Sequence, residues 1–168
     1  MAAGARVFGL AGYSGAGKTT LLEKLIPHFV ERGLKVSVIK QTHHDFDIDR
    51  PGKDSWRQRQ AGATEVLVSS DRRWALMHEL RGKPPPSLEV HLARLAPCDL
   101  VLVEGYKREA IPKLEVHRPS LGKPLLYRDD SHILALAGDE RVPVPLPWFH
   151  LDDVTAIAEF ILQHGRIP

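Results

Sequence analysis

Gly12-Tyr13-Ser14-Gly15-Ala16-Gly17-Lys18-Thr19 gathers three glycines, a lysine and a closing threonine into eight residues. The chemistry open to such a run is the binding of phosphate. Gly12, Gly15 and Gly17 let the backbone turn tightly enough to aim consecutive N–H groups at phosphate oxygens. The helix that must follow adds unpaired N–H donors and the positive end of its dipole. Lys18 supplies a mobile point charge toward the β- and γ-phosphates, and the Thr19 hydroxyl is placed for Mg²⁺. The run is a complete Walker A loop, the mark of a nucleotide-binding protein, and it makes Lys18 a candidate catalytic residue.

Such a site also needs a carboxylate at the end of a neighbouring buried strand, to hold Mg²⁺ or its water shell. Leu100-Val101-Leu102-Val103-Glu104-Gly105 offers four apolar residues followed by an acid where the strand should emerge. Glu104 is therefore a candidate for both catalysis and metal binding. Asp99, at the other end of that run, should lie far from the phosphates. A second acidic stretch, His43-His44-Asp45-Phe46-Asp47-Ile48-Asp49, follows the next strand. If it is extended, Asp45, Asp47 and Asp49 share one side, and three crowded carboxylates require a cation or a basic group between them. A calcium loop fails, because Arg50 stands sixth from Asp45 where glycine is required and Trp56 stands twelfth where glutamate is required. Two adjacent histidines, His43 and His44, could bind a transition metal, but two neighbours on a loop rarely suffice. The preferred reading is a switch-like loop with one Mg²⁺-directed acid, Asp45; a solvated acidic turn is the alternative.

The elements that must position these residues follow from apolar spacing. Arg6 to Ala11 reads as a buried strand entering the glycine loop. From Thr19, Leu21, Leu22, Leu25, Ile26, Phe29 and Val30 form one helical face that runs straight through Pro27 and stops at Gly33. Residues 34–40 form a second strand, 54–61 a short helix, 64–69 and 74–78 two strands, and 88–95 a helix. Residues 99–103 form a buried central strand, 113–117 an alternating edge strand and 132–137 a last strand. Pro143, Pro145 and Pro147 keep 142–147 extended, and Asp152 or Asp153 caps a closing helix that ends near Gly165. Strands alternating with helices predict an α/β fold: a P-loop NTPase-type, mainly parallel sheet with helices on both faces and a small antiparallel extension. Residues 1–168 are expected to form a single domain.

A net charge of +2, with bases scattered among acids, gives no electrostatic case for a nucleic-acid or membrane surface. No apolar run approaches the ~18 residues of a membrane span, and the N-terminus lacks the features of a signal peptide, so the expected location is cytoplasmic. The single Cys98 cannot form an internal disulfide and is expected in the core.

The Walker A loop, Thr42-His43-His44-Asp45-Phe46-Asp47-Ile48-Asp49, Pro51-Gly52-Lys53-Asp54-Ser55, Ala61-Gly62-Ala63 and Val103-Glu104-Gly105-Tyr106-Lys107 occur jointly and in this order. Together they resemble the MobB family, the adaptor proteins of molybdopterin-guanine dinucleotide biosynthesis. The similarity spans almost the whole chain and is closest over residues 7–110. It implies a dimeric GTP-binding protein with weak, Mg²⁺-dependent GTPase activity. It also implies a partner, the molybdenum cofactor guanylyltransferase that joins GMP to the cofactor, and contact with molybdopterin as a further possibility. Within that family the Walker A positions, here Gly15, Ala16, Gly17, Lys18, Thr19 and Thr20 after Gly12 and Ser14, bind phosphate, and Glu104 matches the second acid. Guanine recognition departs from the Asn-Lys-x-Asp rule of better-known GTPases, since the chain contains no Asn. Asp139, at the end of the last strand, is the candidate acceptor for guanine N1 and N2, with an ordinary strand-ending turn as the alternative. A small-molecule kinase and a non-catalytic cofactor carrier remain open as rival functions.

Overall fold

Alternation along Arg6–Ala11 decides how the main layers form. Phe8 and Leu10 enter one apolar cluster, and Val7 enters another on the opposite side of the strand. In the computed structural model, which describes residues 4–42 and 44–167, this strand (β1) is central to a six-stranded sheet. The others are β2 (Val36–Lys40), β5 (Leu100–Glu104), β6 (Lys113–Val116), β7 (Ile133–Gly138) and β8 (Trp148–His150). Their order is β2-β5-β1-β6-β7-β8, and every pairing is parallel. Helices α1 (Lys18–Glu31) and α4 (Val154–His164) cover one face through Leu21, Leu25, Phe29, Ile157 and Ile161. Helix α3 (Leu88–Arg94) covers the other through Leu88, with Leu92 partly buried. Helices on both faces of a parallel sheet are as the strand–helix alternation predicts. No helix among the described residues is long and apolar enough to cross a membrane.

The described residues group into two compact units, one of residues 1–41 and 88–168 and one of residues 42–87. The sheet and the helices just named form the first. The second contains α2 (Asp54–Gln60) and an antiparallel hairpin of β3 (Glu65–Ser69) and β4 (Trp74–His78), with Leu67 opposite Leu76. This hairpin is the small antiparallel extension.

Four local expectations need correction. Residues 113–117 are not an edge: β6 lies between β1 and β7, and all four of its residues are buried. Its alternation comes from Lys113 and Glu115, polar residues that are buried because each has dedicated partners. The Lys113 ammonium donates to the Lys107 and Glu109 carbonyls and to Asp130 Oδ2, at 3.1, 2.7 and 2.6 Å. The Glu115 carboxylate accepts the N–H groups of Leu126 and Tyr127 at 2.8 and 2.9 Å. Second, β8 follows directly on Pro147, and the sheet continues one strand beyond 132–137. Third, Val30 stands 55% exposed, so the buried face of α1 ends at Phe29. Fourth, Cys98 is only partly buried, at the margin of the second cluster. Pro27 does lie inside α1, as the apolar spacing requires.

Candidate functional site

Between the end of β1 and the start of α1, the loop turns on Gly12, Gly15 and Gly17, with φ of 147°, 79° and 107°. At Gly12 the demand is twofold: the φ is positive, and a Cβ would meet the Val116 carbonyl oxygen at 2.5 Å. The loop is thus pressed against the end of β6, and only glycine fits there. Ala16 is buried and anchors the loop in the core, while Ser14, Gly15, Thr19 and Thr20 are exposed. Gly17, in the left-handed conformation, precedes α1 and provides no side-chain cap, and the first turn of the helix carries no acid. The leading N–H groups of a 14-residue helix, and its positive dipole end, are therefore left uncompensated.

Lys18 Nζ donates to the carbonyls of Gly12 and Tyr13, both at 2.9 Å. An ammonium has three donors, so one remains to be directed at an anion. Burial, above all, pulls the Lys18 pKa below the usual lysine range. Glu104 acts in the opposite direction, and Lys107 and Lys40 add to the lowering. Glu104 is itself buried at the end of β5, in register with Leu10 on one side and Lys40 on the other. Its Oε2 lies 3.8 Å from Lys40 Nζ. Lys18, Thr19 and Glu104 accordingly share the carboxyl edge of β1 and β5. Asp99 sits at the opposite end of the strand, where it accepts the Lys35 N–H at 2.7 Å.

Asp139 lies across β1 from Glu104, at the end of β7. Arg118 Nε stands 3.1 Å from Asp139 Oδ2, close enough for an ion pair but not aligned as a hydrogen bond. Both line a cavity of about 220 Å³ that reaches Gly17 and Thr20 on one side and His150 on the other. The edge of the sheet therefore has an acid-and-cation side at β5 and a cavity side at β6 and β7.

The acidic loop belongs to the second unit. There Asp47 and Asp49 have the basic group that their crowding requires. Arg59 contacts Asp47 at 2.8 Å, Asp49 at 3.3 Å and Glu79 at 2.7 Å. The hydrogen bond from Arg59 is the main cause holding the Asp47 carboxyl below its usual range. Arg59 is thus an internal clamp of this unit. Asp45 accepts the Phe46 N–H at 3.0 Å. His44 is exposed, and His43 lies outside the described residues.

Three cations near the loop escaped the sequence reading: Lys40, Lys107 and Arg118. Lys107 was within reach, since it closes the motif that carries Glu104. Lys40 and Arg118 each end a strand or follow it by two residues, and only the strand order brings them to the loop.

A glycine loop between a central parallel strand and a helix, flanked by a strand-end acid, defines an α/β protein of the P-loop NTPase type. The family model of MobB, "Molybdopterin guanine dinucleotide synthesis protein B", matches residues 7–139. The chain belongs to the MobB family. It is 44% identical over 158 residues to the molybdopterin-guanine dinucleotide biosynthesis adapter protein of Haemophilus influenzae, covering 92% of this chain and 86% of that protein. To the Escherichia coli protein of the same name it is 41% identical, covering 91% and 89%. Among solved structures, a crystal structure of molybdopterin-guanine biosynthesis protein B superposes with a TM-score of 0.73 at 30% identity, covering 94% of this chain and 98% of that one. The MobB homologue of Bacillus stearothermophilus gives 0.68 at 28% identity, covering 94% and 95%.

Proposed function

We propose that this protein binds GTP with Mg²⁺ and serves as an adaptor in molybdopterin guanine dinucleotide biosynthesis, assisting the guanylyltransferase that joins GMP to the molybdenum cofactor. The observation that carries the nucleotide part is the uncapped start of α1 behind a left-handed Gly17, with Lys18 bridging the loop mouth. The pathway part rests on membership of the family. Gly12, Ser14, Gly15, Ala16, Gly17, Lys18, Thr19 and Thr20 form the phosphate cradle. Thr19 and Glu104 supply the oxygen donors that a hard divalent ion prefers. A bound Mg²⁺ would neutralise charge on the phosphate oxygens. Asp139 is the proposed guanine acceptor, with Arg118 balancing its charge. The protein is expected to be a cytoplasmic dimer.

Weak solitary turnover follows from the same site. Well-studied GTPases that lack a supplied arginine hydrolyse GTP at roughly 10⁻⁴–10⁻³ per second. The test is GTP hydrolysis by the purified protein with and without the guanylyltransferase and molybdopterin, alongside assay of the finished dinucleotide. Slow solitary turnover with increased dinucleotide formation is expected. Brisk turnover with no effect on dinucleotide formation would return the case to an independent enzyme, and phosphate transfer to an acceptor would make it a kinase.

Two substitutions divide the site by role. Glu104→Gln keeps the shape and removes the charge, and should lower Mg²⁺-dependent turnover roughly 10- to 100-fold with a smaller effect on nucleotide affinity. Wild-type turnover in this variant would make the acid structural. Asp139→Ala should weaken GTP relative to ATP by about 1–3 kcal/mol, the cost of leaving base donors unpaired. An equal loss for both nucleotides would remove Asp139 from base recognition.

A further inference from the structure

We propose that Lys107 is the cation that distinguishes a nucleoside triphosphate from the diphosphate, and that the buried Lys113 is the positioning residue that holds it at the phosphate loop. The inference rests on the nucleotide-binding reading above and assigns the terminal phosphate of that ligand a residue of its own.

Lys107 leaves β5 three residues after Glu104, in a stretch with little regular structure to fix it. Its own N–H donates to the Gly105 carbonyl at 2.8 Å, a tight local turn. The rest of the restraint comes from beneath. Lys113 is 2% exposed, and its ammonium donates to the Lys107 carbonyl, the Glu109 carbonyl and Asp130. All three of its donors are used, as a buried charge requires. The Lys113 stem reaches this position across β1, where Gly9 leaves room: a Cβ on Gly9 would meet Lys113 Cγ at 2.6 Å. The sequence thus commits a glycine in its central strand and a buried ion pair to fixing the backbone of Lys107.

The fixed backbone delivers the ammonium to the loop. Lys107 Nζ lies 5.0 Å from the ring centroid of Tyr13, a residue of the glycine loop. It acts electrostatically on Lys18, as Lys40 also does. Among the described residues, Lys107 has no carboxylate within ion-pair distance. Contact with the half-buried Tyr13 ring contributes only about 1 kcal/mol, and like charges gathered around Lys18 repel one another. An anion entering between them removes that repulsion. Lys123 also approaches Tyr13, at 5.9 Å, but its backbone has no such clamp and it is not among the charges that act on Lys18.

Strand order decides which phosphate Lys107 meets. It comes from β5, the side of β1 that carries Glu104, whereas the cavity with Arg118 and Asp139 opens on the side of β6 and β7. In P-loop sites the strand-end acid accompanies the metal at the β- and γ-phosphates. Lys107 therefore faces the terminal phosphate, and the nucleoside lies away from it.

The test is equilibrium titration of the full chain with GTP and with GDP, Mg²⁺ present, for the wild type, Lys107→Met, Lys107→Arg and Lys18→Ala. Lys107→Met should lose roughly tenfold or more in GTP affinity, the weight of one charge-assisted contact, with GDP affinity changed less than about twofold. Lys107→Arg should restore most of the difference, and Lys18→Ala should weaken both nucleotides. Equal losses for GTP and GDP in Lys107→Met, or none, would overturn the assignment while leaving the nucleotide site standing. A wild-type protein that binds neither nucleotide would overturn both. Lys113→Met and the milder Asp130→Asn test positioning: both should lower the GTP-to-GDP affinity ratio. If Lys113→Met does not fold, Asp130→Asn decides, and a wild-type ratio there would remove Lys113 from the proposal.

Discussion

Lys18→Ala is expected to weaken binding of a nucleoside triphosphate by roughly 10- to 150-fold, the equivalent of about 1.5–3 kcal/mol for a charge-assisted phosphate contact. The fold should survive, because the loop takes its shape from Gly12, Gly15 and Gly17 and its anchorage from buried Ala16. What the lysine adds to the empty loop is two hydrogen bonds, to the Gly12 and Tyr13 carbonyls. Both acceptors lie in a partly exposed site, where water can replace the ammonium. Calorimetric titration with Mg²⁺ present, paired with a melting curve, separates the two effects. Unchanged affinity would mean that the loop does not hold phosphate. A collapse of the melting temperature would mean that the lysine is chiefly structural.

The largest effect on stability is expected at Glu115, in the buried strand β6. Its carboxylate is fully buried and accepts the N–H groups of Leu126 and Tyr127, one on each oxygen. Glu115→Ala removes both acceptors and should cost about 3–5 kcal/mol, since a hydrogen bond to a carboxylate contributes about 1.5–3 kcal/mol. Glu115→Gln should cost less than Glu115→Ala but more than a surface change, because its amide NH₂ turns a donor toward one of the two N–H groups. Urea unfolding at unchanged slope reads the loss directly. A shift worth less than about 1 kcal/mol in Glu115→Ala would show that water or a rearranged chain satisfies those groups.

The same residue shows where sequence reasoning stopped. The phosphate loop was legible because its chemistry is local: glycines, lysine and hydroxyl occupy consecutive positions between a strand and a helix. The parallel sheet was legible because β1, β2 and β5 are apolar runs with helical spacing between them. Strand β6 was not, since a lysine and a glutamate alternating with Leu114 and Val116 look like a solvent face. Their partners are supplied by residues 107–109 before the strand and 126–130 after it, and pattern alone cannot reveal them. Strand β8 was hidden by the prolines that precede it. Pro147 has no N–H to contribute, yet its carbonyl still accepts the Leu136 N–H, which is enough at the edge of a sheet. Arg59, ten residues beyond Asp49 and on a helix, gave no sign in sequence that it holds Asp47 and Asp49 together.

The strand order also sets a timetable for synthesis. Both neighbours of β1 in the sheet, β5 and β6, begin at residue 100 or later, and β2 pairs with β5 alone. A chain emerging from the ribosome therefore presents the apolar segments around Phe8 and Val38 before any strand exists to receive them. The β3–β4 hairpin, whose strands lie a few residues apart, can close in the meantime. Non-local parallel pairing is slow, and unpaired apolar strands are prone to wrong partners while they wait. The first forty residues, which carry the phosphate loop, are thus the part of this protein most exposed to misassembly during translation.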